Sequence, residues 1–210
     1  MRIGSVAAIA PGAKRRAAAG VYESHMSSPK KRGARRGPVP DILGPRLELV
    51  LVGINPGLIS AARRAHFANP QNPFWRLLHE SGLVPRRLDP SEQRELLKYG
   101  IGITNLVASE TASAAELGPE DFERGRRALA VKLGRLRPRA IAFVGVTAYR
   151  GFSGRSAGKA LELGEQPEGL YGARLFVLPN PSGRNAHYQY PQMLELFGSM
   201  ARALGRKTSG

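Results

Sequence analysis

Four short apolar runs, at residues 47–54, 101–106, 140–146 and 175–178, constrain what this chain can fold into more than any other feature. They are rich in β-branched residues and almost free of polar interruption. A strand with one wet face alternates polar and apolar residues. A nearly continuous run instead needs both faces covered, as in a parallel sheet held between helices. Helical signals fill the intervals. Asn72 can cap a helix that has Pro73 in its first position, Phe74, Trp75, Leu77 and Leu78 inside, and Gly82 past its end. Asp89-Pro90 opens a second helix, which stops by Gly100. Pro119-Glu120-Asp121 opens a third, with Phe122, Leu129, Leu133 and Leu136 on one face and Lys132, Arg135 and Arg137 toward its end, where the helix dipole favours cations. A last helix is predicted over 191–204, with Leu194, Phe197, Met200 and Leu204 inward. This alternation predicts an α/β fold: a three-layer α/β/α sandwich with a central four-stranded parallel sheet and right-handed crossovers.

Charge divides the chain and points to a partner. Residues 1–45 read as a basic, disordered arm, 46–205 as the folded domain and 206–210 as a short tail. The net charge is +16. Residues 1–46 hold ten Lys/Arg and two Asp/Glu, so the arm carries half of the excess and the body is basic on its own. That favours a polyanionic partner over a neutral enzyme with a solubilising tail. The chain has no cysteine, which excludes disulfides, thiolate zinc sites and iron–sulfur clusters. Its histidines, at 25, 66, 79 and 187, lack the spacing of a metal site, so neither metal nor cofactor is expected. No apolar run approaches the ~20 residues of a membrane span, and the apolar stretch 6–10 is too short for a typical secretory signal. The expectation is a cytoplasmic, nucleoid-associated monomer with no membrane partner.

In open α/β sheets, ligands bind beyond the carboxyl ends of the strands. The first run ends in Gly53-Ile54-Asn55-Pro56-Gly57, the second in Thr104-Asn105, and the fourth is followed by Asn180-Pro181-Ser182-Gly183-Arg184-Asn185. Pro56 disfavours helical backbone at Asn55 and so holds that amide at the strand tip. Gly53 and Gly57 let backbone come close to a ligand. A plain turn accounts for the same five residues equally well. The loop with Arg184 suits contact with, or insertion into, DNA, or serves as a connector to the last helix. Neither a GxxxxGK[ST] nor a GxGxxG phosphate loop is present, which argues against an enzyme acting on small nucleotides.

Together these residues resemble a known family. Segments 53–57 and 180–183 are similar to the two signature motifs of mismatch-specific uracil/thymine-DNA glycosylases. Phe67, Asn72, Phe74-Trp75 and the stretch from Tyr99 to Asn105 match the pattern between them, in collinear order over about 47–204. The resemblance implies a flipped-out base in a pocket at the rim. It makes Asn55 the asparagine that positions water and Phe67 the aromatic that stacks on the base. Ile54, with Gly53, Gly57 and Asn180, would form the base-binding wall. Asn105 falls at a pocket position where relatives carry Asn, Lys or Asp, and is the second catalytic candidate. Ser182, Gly183, Arg184 and Asn185 match the wedge that fills the vacated stack. The implied activity is monofunctional hydrolysis of the N-glycosidic bond of uracil, with thymine and modified cytosines as further substrates, in mismatched double-stranded DNA during base-excision repair. No lysine matches a catalytic position, so no Schiff base is expected. The competing reading is a non-catalytic binder of damaged or single-stranded DNA.

Overall fold

Alternate residues of the central strands feed two separate cores. On β1 (Leu49–Gly53), Leu49 and Leu51 pack to one side and Val50 and Val52 to the other, all essentially inaccessible. The computed structural model describes residues 39–154, 161–182 and 188–206, all within one compact unit that spans 36–210. Arm residues 1–38, tail residues 207–210, and Gly183, Arg184 and Asn185 of the predicted wedge lie outside the described residues.

After β1 come α1 (Leu58–Arg63), α2 (Phe74–Glu80), a 3-10 helix (Pro90–Tyr99) and β2 (Ile101–Asn105). A 3-10 turn (Ala114–Glu116), α3 (Pro119–Leu136), β3 (Ala140–Val144) and α4 (Val146–Ser153) follow. The chain then forms β4 (Gly164–Glu165), β5 (Arg174–Leu178) and α5 (Tyr190–Ala203). The sheet order is β2-β1-β3-β5-β4. The first four strands are mutually parallel, and β4 pairs antiparallel with β5. The predicted α/β/α sandwich is present, but its sheet has five strands rather than four. The extra strand is two residues long, too short for any periodicity to reveal, and an Arg174–Glu165 ion pair (2.6 Å) ties it to its neighbour.

One core lies under α2, α5 and the 3-10 helix and holds Phe74, Leu77, Leu78, Leu96, Phe197 and Met200. The other lies under α3 and α4 and holds Leu129, Leu133, Ala148, Tyr149 and Phe152. The third predicted run overshoots, because Gly145 (φ 122°) breaks the strand and α4 starts at once. The helix predicted after Asp89 forms as a 3-10 helix with a reciprocal cap: Asp89 Oδ1 accepts from Ser91 N, and Glu92 Oε2 accepts from Asp89 N, both at 2.9 Å.

Composition assigns residues 39–45 to the arm. In the structure Val39 and Ile42 are buried, and Ile42 exchanges backbone hydrogen bonds of 2.9 and 2.8 Å with Ile103. This strap runs along β2, at the edge of the sheet nearest the rim residues described next.

Candidate active site

Parallel register sets the layout. Gly53 and Asn105 are partners at the ends of β1 and β2, and the pairing continues beyond them through Leu106 N to Gly53 O and Val107 N to Ile54 O, both 2.8 Å. A side chain at Gly53 would begin 2.5 Å from Asn105 Oδ1 and 3.2 Å from Phe67 Cζ. The glycine therefore lets the amide and the ring converge above the strand tip. At the other end of the rim, Asn180 sits against Gly145, where an added Cβ would lie 3.2 Å from that of Asn180. Asn180 Oδ1 accepts from Ser182 N (3.0 Å), an Asx turn. Gly53, Ile54, Asn55, Gly57, Asn105, Asn180 and Ser182 are thus all at the carboxyl ends of the strands. Ile54 is half-buried and packs on the α3/α4 core.

Asn55 is held by a loop far away in sequence. Its Nδ2 donates to Thr111 Oγ1 (2.7 Å) and to the carbonyl oxygens of Ser109 (3.1 Å) and Pro56 (3.2 Å). The same loop is tied to the glycine turn by Thr111 N to Pro56 O (3.2 Å). The amide hydrogens are therefore committed to protein, whereas among the described residues no hydrogen bond reaches Oδ1. Asn55 thus keeps its acceptor available. Ser109 and Thr111 were not foreseen: they stand 54 and 56 residues from Asn55 in the chain, and only the β1–β2 pairing brings them near.

Phe67 has left-handed backbone (φ 50°), uncommon for a bulky residue. Its neighbours enforce it. Gln93 Oε1 accepts from His66 N (2.9 Å), His66 O accepts from the buried Trp75 indole (3.1 Å), and Ser60 Oγ accepts from Ala68 N (3.1 Å). The Phe67 ring stacks on Phe74, with centroids 3.9 Å apart and planes 17° off parallel. Trp75 is core, and Asn72 caps α2 through Oδ1 to Phe74 N (3.0 Å). Strain of this kind concentrates where a side chain must be aimed.

Asn105 also has a partner the sequence did not reveal. Its Nδ2 lies 3.4 Å from His66 Nδ1, and His66 Nε2 lies 3.1 Å from Pro40 O. Burial pulls the His66 pKa down to about 4, outweighing its bond to Pro40 and the charge of Asp41, so the ring is neutral at physiological pH. Behind β2, Lys132 pairs with Asp41 (2.6 Å), and Asp41 also accepts from Thr104 Oγ1 (2.6 Å). This lysine is engaged with Asp41 rather than with the rim. Among the described residues no group of three or more His, Asp or Glu side chains is arranged to hold a metal ion, and no helix is long and apolar enough to cross a membrane.

The fold is that of an α/β protein whose polar and glycine-rich segments gather at the strand ends. Residues 40–202 match the family model described as the uracil DNA glycosylase superfamily, and the chain belongs to that superfamily. Its members are DNA glycosylases, hydrolases of N-glycosyl bonds. The fold is also similar to the solution NMR structure of a protein from Methanosarcina acetivorans described as a "putative Uracil DNA glycosylase". The TM-score is 0.57 at 21% identity, over 82% of this chain and 99% of the other.

Proposed function

We propose that this protein is a monofunctional glycosylase that hydrolyses the N-glycosidic bond of uracil in mismatched duplex DNA. The observation that carries the proposal is the Asn55 amide: both hydrogens are bound inward by Thr111, Ser109 and Pro56, leaving Oδ1 to accept from a water at the rim.

An enzyme acting on the sugar carbon of a stacked nucleotide must first extrude it, at a cost of a few kcal/mol that is least at a mismatch. Uracil opposite guanine is therefore favoured over uracil opposite adenine. The extruded base stacks on the face of Phe67 turned away from Phe74, a contact worth roughly 1–3 kcal/mol. Ile54, Gly53, Gly57 and Asn180 line its surroundings, and Asn105 Oδ1, beside Gly53, accepts from the imide N–H of the base. Cytosine has no such hydrogen. The loop from Ser182 through Gly183, Arg184 and Asn185 fills the gap in the stack. As the bond breaks, positive charge grows on the sugar and negative charge on the base. Backbone N–H groups of the 53–57 turn stabilise the anion as an oxyanion hole does, and water held by Asn55 attacks the sugar.

An amide has no useful basic lone pair at neutral pH, so Asn55 orients water without deprotonating it. A positioned base is worth ~10²–10⁴-fold, so turnover is slow beside an enzyme with a carboxylate at this place. No lysine matches a catalytic position, so no amine is expected to attack the sugar, and borohydride should trap no covalent adduct. The direct test is base release from a labelled duplex carrying one U·G pair, with U·A and T·G beside it. The expected result is release in the order U·G above U·A, abolished in Asn55→Ala with DNA binding retained. A wild-type protein that binds these duplexes and releases nothing would instead be a binding module.

A further inference from the structure

We infer that the strap at residues 39–42 belongs to the base-reading apparatus: the carbonyl of Pro40 acts through His66 to fix which way the Asn105 amide faces. This rests on the glycosylase reading above and extends it to residues outside the rim.

The argument is one of donors and acceptors. A backbone carbonyl only accepts, so the His66 nitrogen 3.1 Å from Pro40 O carries the hydrogen, and that nitrogen is Nε2. In a neutral imidazole the other nitrogen is then an acceptor. Nδ1, 3.4 Å from Asn105, must therefore be met by the amide's NH2 and not by its oxygen. That leaves Oδ1 on the side of Gly53 and Phe67, the position an added Cβ at Gly53 would reach within 2.5 Å. Reversing the amide would set two lone pairs, Oδ1 and Nδ1, against each other in a site where the ring is 2% exposed and water cannot intervene. The ring needs to be neutral for this to hold, and its depressed pKa keeps it so.

The strap itself is held in register by two hydrogen bonds between Ile42 and Ile103, two residues before Asn105 on β2. Asp41 is anchored to Thr104 and Lys132. Pro40, His66 and Asn105 thus form a chain from the edge of the sheet to the pocket. His66 and Pro40 touch no substrate in this scheme. They are positioning residues, and what they set is the choice between a base that offers a hydrogen and one that offers a lone pair.

Two measurements on the full-length protein test this. The first is the ¹⁵N spectrum of labelled histidine, with the His66 signals identified by their loss in His66→Gln. The Nε2–H tautomer at pH 7 is the expected result, and the Nδ1–H tautomer would overturn the inference whatever the enzyme does. The second compares His66→Leu with His66→Gln in single-turnover uracil release from a U·G duplex. Glutamine can give Pro40 a hydrogen and offer Asn105 an oxygen, as the neutral ring does; leucine can do neither. His66→Leu should slow release roughly tenfold, the scale of one lost hydrogen bond, at unchanged duplex affinity and with a lower uracil-over-cytosine ratio. His66→Gln should restore both rate and ratio. Equal impairment of the two variants would mean that ring packing matters and the relay does not, and full activity in His66→Leu would also overturn it. If the wild type releases no base, the glycosylase reading fails, and the tautomer alone decides the relay.

Discussion

Gly57 separates a glycine needed by the fold from one needed by a ligand. Its φ of −75° suits any residue, and a Cβ there would meet nothing within 4 Å. Neither backbone nor packing requires it, unlike Gly53, where the space is already taken by Asn105 and Phe67. Gly57→Ala should therefore keep or slightly raise the melting temperature, since alanine narrows the unfolded ensemble by roughly 0.4–1 kcal/mol. Base release at saturating DNA should fall roughly tenfold if nucleic acid packs on that backbone; unchanged release would mean that the DNA does not approach there. His66 gives a second residue-scale expectation. Its pKa falls from 6.5 to about 4 on folding, so between those values the unfolded chain binds a proton that the folded one refuses. Stability is complete above pH 6.5 and is lost as pH falls, by about 1.4 kcal/mol per unit and about 3 kcal/mol in all. Urea midpoints at pH 7, 5.5 and 4.5 should converge for wild type and His66→Gln at the top of this range and diverge at the bottom. The Asp41 and Lys132 charges beside the ring are present in both proteins and drop out of the comparison.

At the scale of elements, α3 shows how closely the site is built into the fold. Alanine normally improves a helix interior over glycine by roughly 1 kcal/mol. At Gly125, however, a Cβ would stand 2.3 Å from the carbonyl oxygen of Leu106, at the start of the loop whose Ser109 and Thr111 hold Asn55. Gly125→Ala should reverse the usual sign and destabilise by about 1–3 kcal/mol through overpacking, measured by thermal melts. Release should be impaired further because the shift reaches Ser109; a stabilised variant would show that the loop yields freely. This coupling also explains what could and could not be read from the sequence. The four long strands are legible because burial on both faces leaves a compositional mark, and the strand-end positions of Asn55 and Asn105 are legible because those strands can be bounded. Residues 39–45 are not, because Pro40, Asp41 and Gly44 resemble a linker locally, and only long-range partners, Ile103 for Ile42, Thr104 and Lys132 for Asp41 and His66 for Pro40, make them part of the fold. His66, Ser109 and Thr111 carry no local signal at all. Each takes its role from a partner that chain topology delivers from at least 26 residues away.

Over the whole molecule the governing quantity is charge. A net +16 on 210 residues exceeds what a single active site needs, and much of the basic surface in the described domain is engaged in local pairs such as Arg76–Glu80, Arg86–Glu92 and Arg127–Glu123. Exposed pairs of this kind contribute little to stability, and they leave less unpaired charge for a polyanion. Of the residues before 39, Lys30, Lys31, Arg32, Arg35 and Arg36 form the densest basic run. On DNA each side chain that neutralises a phosphate steepens the fall of log K with log salt by about 0.9. Replacing these five residues by glutamine should therefore flatten that slope by about 0.9 for every one that sits on phosphate, and should weaken binding to matched and mismatched duplex alike. The rate of base release from the saturated complex should not change, because the groups proposed to act on the base all lie within the domain. An unaltered slope would show that this basic run makes no phosphate contact and that other cations of the chain account for DNA affinity. A slower chemical step at saturation would instead mean that these five cations contribute to the step itself and not only to binding.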